Sequence, residues 1–407
     1  MKSALLVACL LGLTLSPRAS AVEAEILHWW TEPGARSAVN VLADAFRAAN
    51  GTWTDVGRLS YAAARKQALE RLSHGYAPTA MQWNAGIEVN ELAALSMIGT
   101  LSPTGVTQSW PNRLYDFVNK AIVHQERVIA IPLNIHGENW LWINKHIYDA
   151  LDLKPPDSWE TLIAQAKLIA DAGYLPLAIG TEGYQLQVLF NNIVLGIGGR
   201  SLYSDLYLRR ELSPTSREQM REVFRIFLAL RNFQRATQQS QTWYDATRSV
   251  LADRAALQFM GDWAKAEFEA SGWLPGSDFY CQLSPGSEQT YLYVIDVFVV
   301  KRDTINDSSE ARETLAAALT DTTTQLAFSQ KKGSIPVVRD LPTDVLDVCA
   351  QKAVELVRDE SRAIPSMALV ADLAFTQRVY QALLSAWQTP SMSPHEGVAT
   401  LRKTLRE

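Results

Sequence analysis

Asp262 and Trp263 sit side by side in Gln258-Phe259-Met260-Gly261-Asp262-Trp263-Ala264-Lys265, a carboxylate next to a broad aromatic face just past a glycine turn. An aromatic face suits the C–H side of a saturated ring, and a carboxylate accepts from the hydroxyls on its rim. Trp29-Trp30, Asp296 and Lys332-Gly333-Ser334 repeat the theme, each placing flat or charged groups in or beside an apolar stretch or on a glycine turn. Open α/β sheets bind small molecules at such strand ends. The ligand chemistry these groups fit is that of a sugar. Trp243 is a second platform of this kind, and it fits equally well as the anchor of a helix face or loop.

Asp296 lies inside Tyr291-Leu292-Tyr293-Val294-Ile295-Asp296-Val297-Phe298-Val299-Val300. A carboxylate buried there must meet a cation, backbone donors or ligand hydroxyls, because an unpaired one is costly or neutralises itself. Lys332 is the cation expected across the same crevice, and capping a helix N-terminus is the competing role for Asp296. Trp29 and Trp30 end an apolar strand, so alternation sends their rings to opposite faces, one lining a cleft and one packing beneath it. Asp262, Glu267 and Asp296 also raise an enzymatic reading, since glycoside hydrolysis needs a carboxylate pair about 5–5.5 or 6.5–9.5 Å apart. Other chemistries lack their signatures. Gly196-Ile197-Gly198-Gly199 is not a dinucleotide fingerprint, and the chain carries no Gly-x-Ser-x-Gly, Cys-x-x-Cys or His-Glu-x-x-His. No metal or cofactor is expected.

The elements that must position these groups alternate between strand and helix. Glu25 to Trp30 reads as a strand, Thr31 to Gly34 as a turn, and Ser37 to Ala49 as a helix with Ala38, Val41, Leu42, Ala45, Phe46 and Ala49 on one face. Val128 to Pro132 is a further strand. Asp157-Ser158-Trp159-Glu160 reads as a capping box opening a helix that ends at Gly173, followed by a strand from Tyr174 to Ile179. Leu257 to Met260 is a short buried strand, and the near-continuous apolar run from Tyr291 to Val300 has parallel-sheet character. Helices are expected over Arg217 to Arg231 and after Asp344. The fold class is α/β, with no low-complexity linker and no repeat at solenoid spacing.

The N-terminus reads as a secretory signal: Lys2, an apolar stretch from Ala4 to Leu15, and Ala19-Ser20-Ala21 as a cleavage site. Cys9 as a lipid-attachment site would leave too short an apolar segment before it. Of 38 Lys and Arg against 43 Asp and Glu, the signal removes Lys2 and Arg18, taking the formal charge from −5 to −7. That sign disfavours a nucleic-acid partner. Cys281 and Cys349 survive processing, and in an oxidising compartment one disulfide is the simplest expectation, with two buried thiols as the alternative.

Leu27-His28-Trp29-Trp30-Thr31, Asn134-Ile135-His136, Asn139-Trp140-Leu141-Trp142-Ile143-Asn144, Met260 to Lys265, Lys332-Gly333-Ser334-Ile335-Pro336 and Pro365-Ser366-Met367-Ala368 resemble, in this order, the periplasmic sugar-binding proteins of ABC transporters, most closely their glucose-binding branch. The resemblance runs from about Ile26 to past Ala368 and takes in both cysteines. It implies a two-lobe periplasmic binding protein fold with a hinge and an interlobe ligand cleft, after a signal peptide over 1–21. Residues 22–133 with 297–338 would form one lobe, and 134–296 with 339–407 the other. It further implies a monomer that closes over a sugar in the periplasm and delivers it to the permease subunits. The implied contacts are Trp29, Trp30, Trp263, Asp296 and Lys332, joined by Glu32, Asn84, His136, Trp243 and Asp262. A receptor feeding a sensor or chemoreceptor would use the same closure.

Several positions depart from the glucose binders. Glu32-Pro33-Gly34-Ala35-Arg36 stands where they carry a glycine-rich turn with an acid, Gly137 where they carry a basic residue, Ile295 an Asn, and Leu369 a His. The expectation is a pocket roomier at Gly137, more apolar at Ile295 and Leu369, and better suited to a ligand other than free glucose.

Overall fold

A computed structural model of the chain describes residues 22–234, 241–302 and 309–406. The signal segment and Cys9 lie outside the described residues. Among these residues, no helix is long and apolar enough to cross a membrane.

Two sheets organise the molecule. The larger has six strands: Val22–His28, Gly51–Gly57, Ala80–Asn84, Ala130–Gly137, Tyr291–Val300 and Ala363–Pro365. Val22–His28 pairs in parallel with Gly51–Gly57 and with Ala80–Asn84. Tyr291–Val300 is buried along its whole length and forms the centre, antiparallel to Ala80–Asn84 and to Ala130–Gly137, parallel only to Ala363–Pro365. The parallel character expected of this run is thus corrected. Burial on both faces makes a strand continuously apolar, whatever the direction of its neighbours. The smaller sheet runs Phe279–Leu283, Trp140–Asn144, Ala255–Phe259, Leu175–Leu177.

Helices cover both sheets and hold the two cores. Pro33–Ala48 begins four residues before the expected start because Pro33 takes the first helical position, where its missing N–H costs nothing. Trp159–Asp171 is capped by Ser158, whose Oγ accepts from the Thr161 amide at 3.1 Å. The capping partner is therefore Thr161; Glu160 instead reaches Arg225 at the surface. The long helices Gly183–Tyr207, Pro214–Leu230, Leu373–Gln388 and Pro394–Arg406 pack on one another beside the smaller sheet.

The chain passes between the sheets at Glu138-Asn139, between Leu283 and Tyr291, and again after Pro365. Asn139 ties the first two passages together, donating to the Thr290 carbonyl at 2.8 Å and the Ser287 hydroxyl at 3.1 Å while accepting from the Leu292 amide at 2.9 Å. Ser366 ties in the third, its hydroxyl donating to Glu138 at 2.7 Å. The lobe boundaries expected at 134 and 296 fall inside strands that stay in the larger sheet on both sides of those positions. Cys281, in the smaller sheet, is bonded to Cys349 near the start of helix Val348–Arg358, which packs against Tyr291–Val300.

Candidate functional site

His136, Asp262, Asp296 and Lys332 are brought together from four segments and are each no more than 3% exposed. His136 ends strand Ala130–Gly137; Asp296 lies on the neighbouring strand and faces the same way, with Asn84 and Asn134 as its cross-strand partners. Lys332 ends helix Thr322–Lys332, and Gly333 follows in the left-handed conformation at φ 75°. Asp262 stands just before helix Trp263–Ala270.

The contacts fix the orientation of the ring. Asp262 Oδ1 meets His136 Nδ1 in a short hydrogen bond, and Lys332 Nζ stands 3.0 Å from Nε2. Asp296 Oδ2 stands 3.3 Å from the same Nε2, and its other oxygen accepts from Asn84 Nδ2 at 2.9 Å. Asp296 therefore caps no helix. Burial pushes the Lys332 ammonium below its ordinary pKa, and the carboxylates of Asp296, Asp262, Glu267 and Glu32 pull it back up. The ammonium also lies 5.3 Å from the ring centre of Trp30.

Asp262 plays a different part from the one its sequence neighbourhood suggests. Beyond His136, it accepts from the Gly137 amide at 2.9 Å and the Tyr291 hydroxyl at 3.1 Å, so both oxygens are occupied within the protein. It orients His136, whose other nitrogen faces Lys332 and Asp296. Glu267 is similarly committed, accepting from the amides of Gly34 at 3.0 and 3.1 Å and of Ala35 at 3.2 Å. It caps helix Pro33–Ala48, a task that Glu32 leaves undone.

The aromatic groups divide as alternation requires. Trp30 is buried against Phe298 and Phe328, while Trp29 is half-buried and meets Tyr61 edge-on at 5.0 Å. Trp263 is half-buried and stands edge-on to His136 at 5.3 Å. Trp243 is half-buried at the start of helix Trp243–Leu251, whose cap is Thr242. Glu32 is half-buried and accepts from the Thr31 amide at 3.3 Å.

The expected widening at Gly137 is overturned. A Cβ there would lie 2.5 Å from the ring of Tyr291, which already fills the space and returns a hydroxyl to Asp262. Ile295 has no exposed surface and belongs to the core of the larger sheet, on the opposite face from Asp296, so it contributes nothing to a pocket. Leu369 is also packed into that core. Sequence reasoning missed Tyr291. Tyr291 heads the central strand, and its phenol is held protonated by burial and by Asp262. No local pattern distinguishes this tyrosine; only the fold brings it to Asp262.

Residues 93–318 match the model of the bacterial extracellular solute-binding proteins. A probable sugar-binding periplasmic protein of Rhizobium meliloti is 30% identical over 338 residues, 83% of this chain and 81% of that one. The chain belongs to the bacterial extracellular solute-binding proteins. A second member, a probable sugar-binding periplasmic protein of Mesorhizobium japonicum, is 31% identical over 82% of this chain and 80% of its own length. Among solved structures, the bacterial solute receptor AcbH, described as exclusive for β-D-galactopyranose, superposes with a TM-score of 0.77 at 16% identity, covering 95% of this chain and 97% of that one. A chitin oligosaccharide binding protein gives 0.78 at 11% identity, over 95% and 99%. The two-lobe α/β fold of the family is thus the fold of this chain.

Proposed function

We propose that the protein captures a sugar, a mono- or disaccharide or a derivative, between its lobes in the periplasm and delivers it to the permease of an ABC transporter. The observation that carries this reading is the buried His136–Asp296–Lys332 cluster with the half-buried ring of Trp263 edge-on to His136, to which the reading adds Trp29 and Trp243. Charged acceptors and donors at the bottom serve hydroxyls, and the rings serve the C–H faces of a pyranose. The probable sugar-binding names of the relatives support the same reading. In it, Asn84, His136, Asp296 and Lys332 meet the ligand, Trp30 and Asp262 hold Lys332 and His136 in place, and Glu32 lies at the edge. The lobes follow the two sheets, with the hinge at Glu138-Asn139, the segment before Tyr291 and the segment after Pro365. The protein acts as a monomer, exported by cleavage of its signal, without a nucleic-acid partner or a cofactor.

Binding is favoured over hydrolysis by the carboxylates themselves. Asp262 and Glu267 are saturated by donors from the protein, which leaves neither free to protonate a leaving group or attack carbon. Calorimetry with a panel of sugars tests the proposal. Micromolar binding, about −8 kcal/mol, with a change in tryptophan emission is expected. Neither heat nor emission change with any sugar would refute it. Asp296→Ala, which removes a charged hydrogen-bonding group, is expected to weaken that binding by more than about 1.5 kcal/mol; unchanged affinity would make Asp296 a structural residue.

A further inference from the structure

Helix Trp263–Ala270 holds to both sheets, and to each in a different way. Phe268 roots it in the smaller one: its ring centre lies 6.0 Å from that of Trp142 and 5.0 Å from that of Phe279, on two strands of that sheet. The same helix packs against Pro33–Ala48 and Thr322–Lys332, two helices that pack on each other and on strands of the larger sheet. Two glycines receive it there. A Cβ on Gly34 would lie 2.5 Å from the carbonyl oxygen of Ala266, and one on Gly333 would lie 2.5 Å from that of Asp262 and 3.0 Å from the Ala266 nitrogen. Glu267 completes the seat. Its buried carboxylate accepts from the amides of Gly34 and Ala35, at the start of a helix whose own N-cap residue, Glu32, makes no side-chain cap bond.

We infer that Glu267 is a latch between the lobes, holding them closed through the first turn of helix Pro33–Ala48 while making no contact of its own with a sugar. This rests on the division into lobes along the two sheets. Every partner in the latch is a protein atom, so it forms with the ligand absent. Opening the cleft takes the acceptor from the Gly34 and Ala35 amides and leaves that turn uncapped. A ligand that binds only the closed form binds in proportion to the fraction of protein already closed. Glu267 therefore sets the affinity from outside the ligand's reach.

Small-angle scattering of the ligand-free protein, with calorimetry on the sugar the wild type binds best, tests the inference through two variants on opposite sides of the contact. Glu267→Ala removes the acceptor. Gly34→Ala keeps Glu267 and places a better helix former in helix Pro33–Ala48, so its added methyl group opposes the approach of Ala266 without weakening its own helix; it decides alone if Glu267→Ala does not fold. Both are expected to keep the wild-type helix content, to show a larger radius of gyration than wild type without sugar, and to bind the sugar about tenfold more weakly, as for a closed fraction cut to about a tenth. Glu267→Gln, which keeps an acceptor oxygen, should stay within about threefold of wild type, about 0.65 kcal/mol. An unchanged radius of gyration in both variants, or unchanged affinity in both, would overturn the latch, leave Glu267 a plain helix cap and leave the sugar reading standing. A wild-type protein that binds no sugar would overturn the sugar reading, and the scattering would still decide the latch.

Discussion

Glu138 is buried at the first passage between the sheets, where Ser366 donates to its carboxyl. Burial raises its pKa from 4.5 to about 7, against the opposing pulls of Ser366 and His136. In the unfolded chain the group ionises near 4.5, so the folded protein holds the extra proton between those values. The resulting stabilisation is complete below pH 4.5 and is lost as the pH rises through about 7. Its size is about 3 kcal/mol at about 1.4 kcal/mol per pKa unit. Glutamine keeps an oxygen for Ser366 and has no proton to lose. Glu138→Gln is therefore expected to unfold at a higher denaturant concentration than wild type at pH 8, with the two converging near pH 4.5. Glu269, also raised to about 7, adds a slope of the same sign to both proteins, so the difference isolates Glu138.

At the scale of elements, the end of helix Thr322–Lys332 decides where Lys332 points. Gly333 turns left-handed there, and a Cβ would lie 2.5 Å from the carbonyl oxygen of Asp262. Gly173 closes helix Trp159–Asp171 with φ 89° and nothing within 4 Å of its Cβ position. The pair separates backbone strain from crowding. Gly173→Ala should cost about 1–2 kcal/mol, the strain alone. Gly333→Ala should cost about 2–5 kcal/mol, with overpacking added, and should also weaken ligand binding by displacing Lys332. Equal costs and unchanged affinity, measured by urea unfolding and calorimetry, would show that the Lys332 turn yields freely. Both glycine turns were legible in the sequence, as were the ends of the central strand, since a strand buried on both faces leaves a near-continuous apolar run. Asp296 was legible for the same reason: it interrupts that run. Asp262 was visible as a site residue but not in its role, because Gly137 and Tyr291, which occupy it, lie 125 and 29 residues away.

For the whole molecule, the question is whether the lobes unfold together. Three chain passages, the Asn139 hydrogen bonds and the bond between Cys281 and Cys349 tie the smaller sheet to helix Val348–Arg358 and the larger core. The disulfide closes a loop with a sequence separation of 68. On the chain-entropy model that closure contributes about 4 kcal/mol. Spread over the unfolding entropy of the roughly 385 residues from Val22 onward, roughly 0.8 kcal/mol per kelvin, it corresponds to about 5 °C in the melting temperature. A ligand bridging both lobes stabilises the same transition, by about 2.7 kcal/mol at one hundred times its dissociation constant, or about 3 °C. Calorimetric scans should therefore show one transition for the oxidised protein, moved up by ligand and down by reductant. Two transitions, with only one responding to ligand, would mean that the sugar is held by a single lobe.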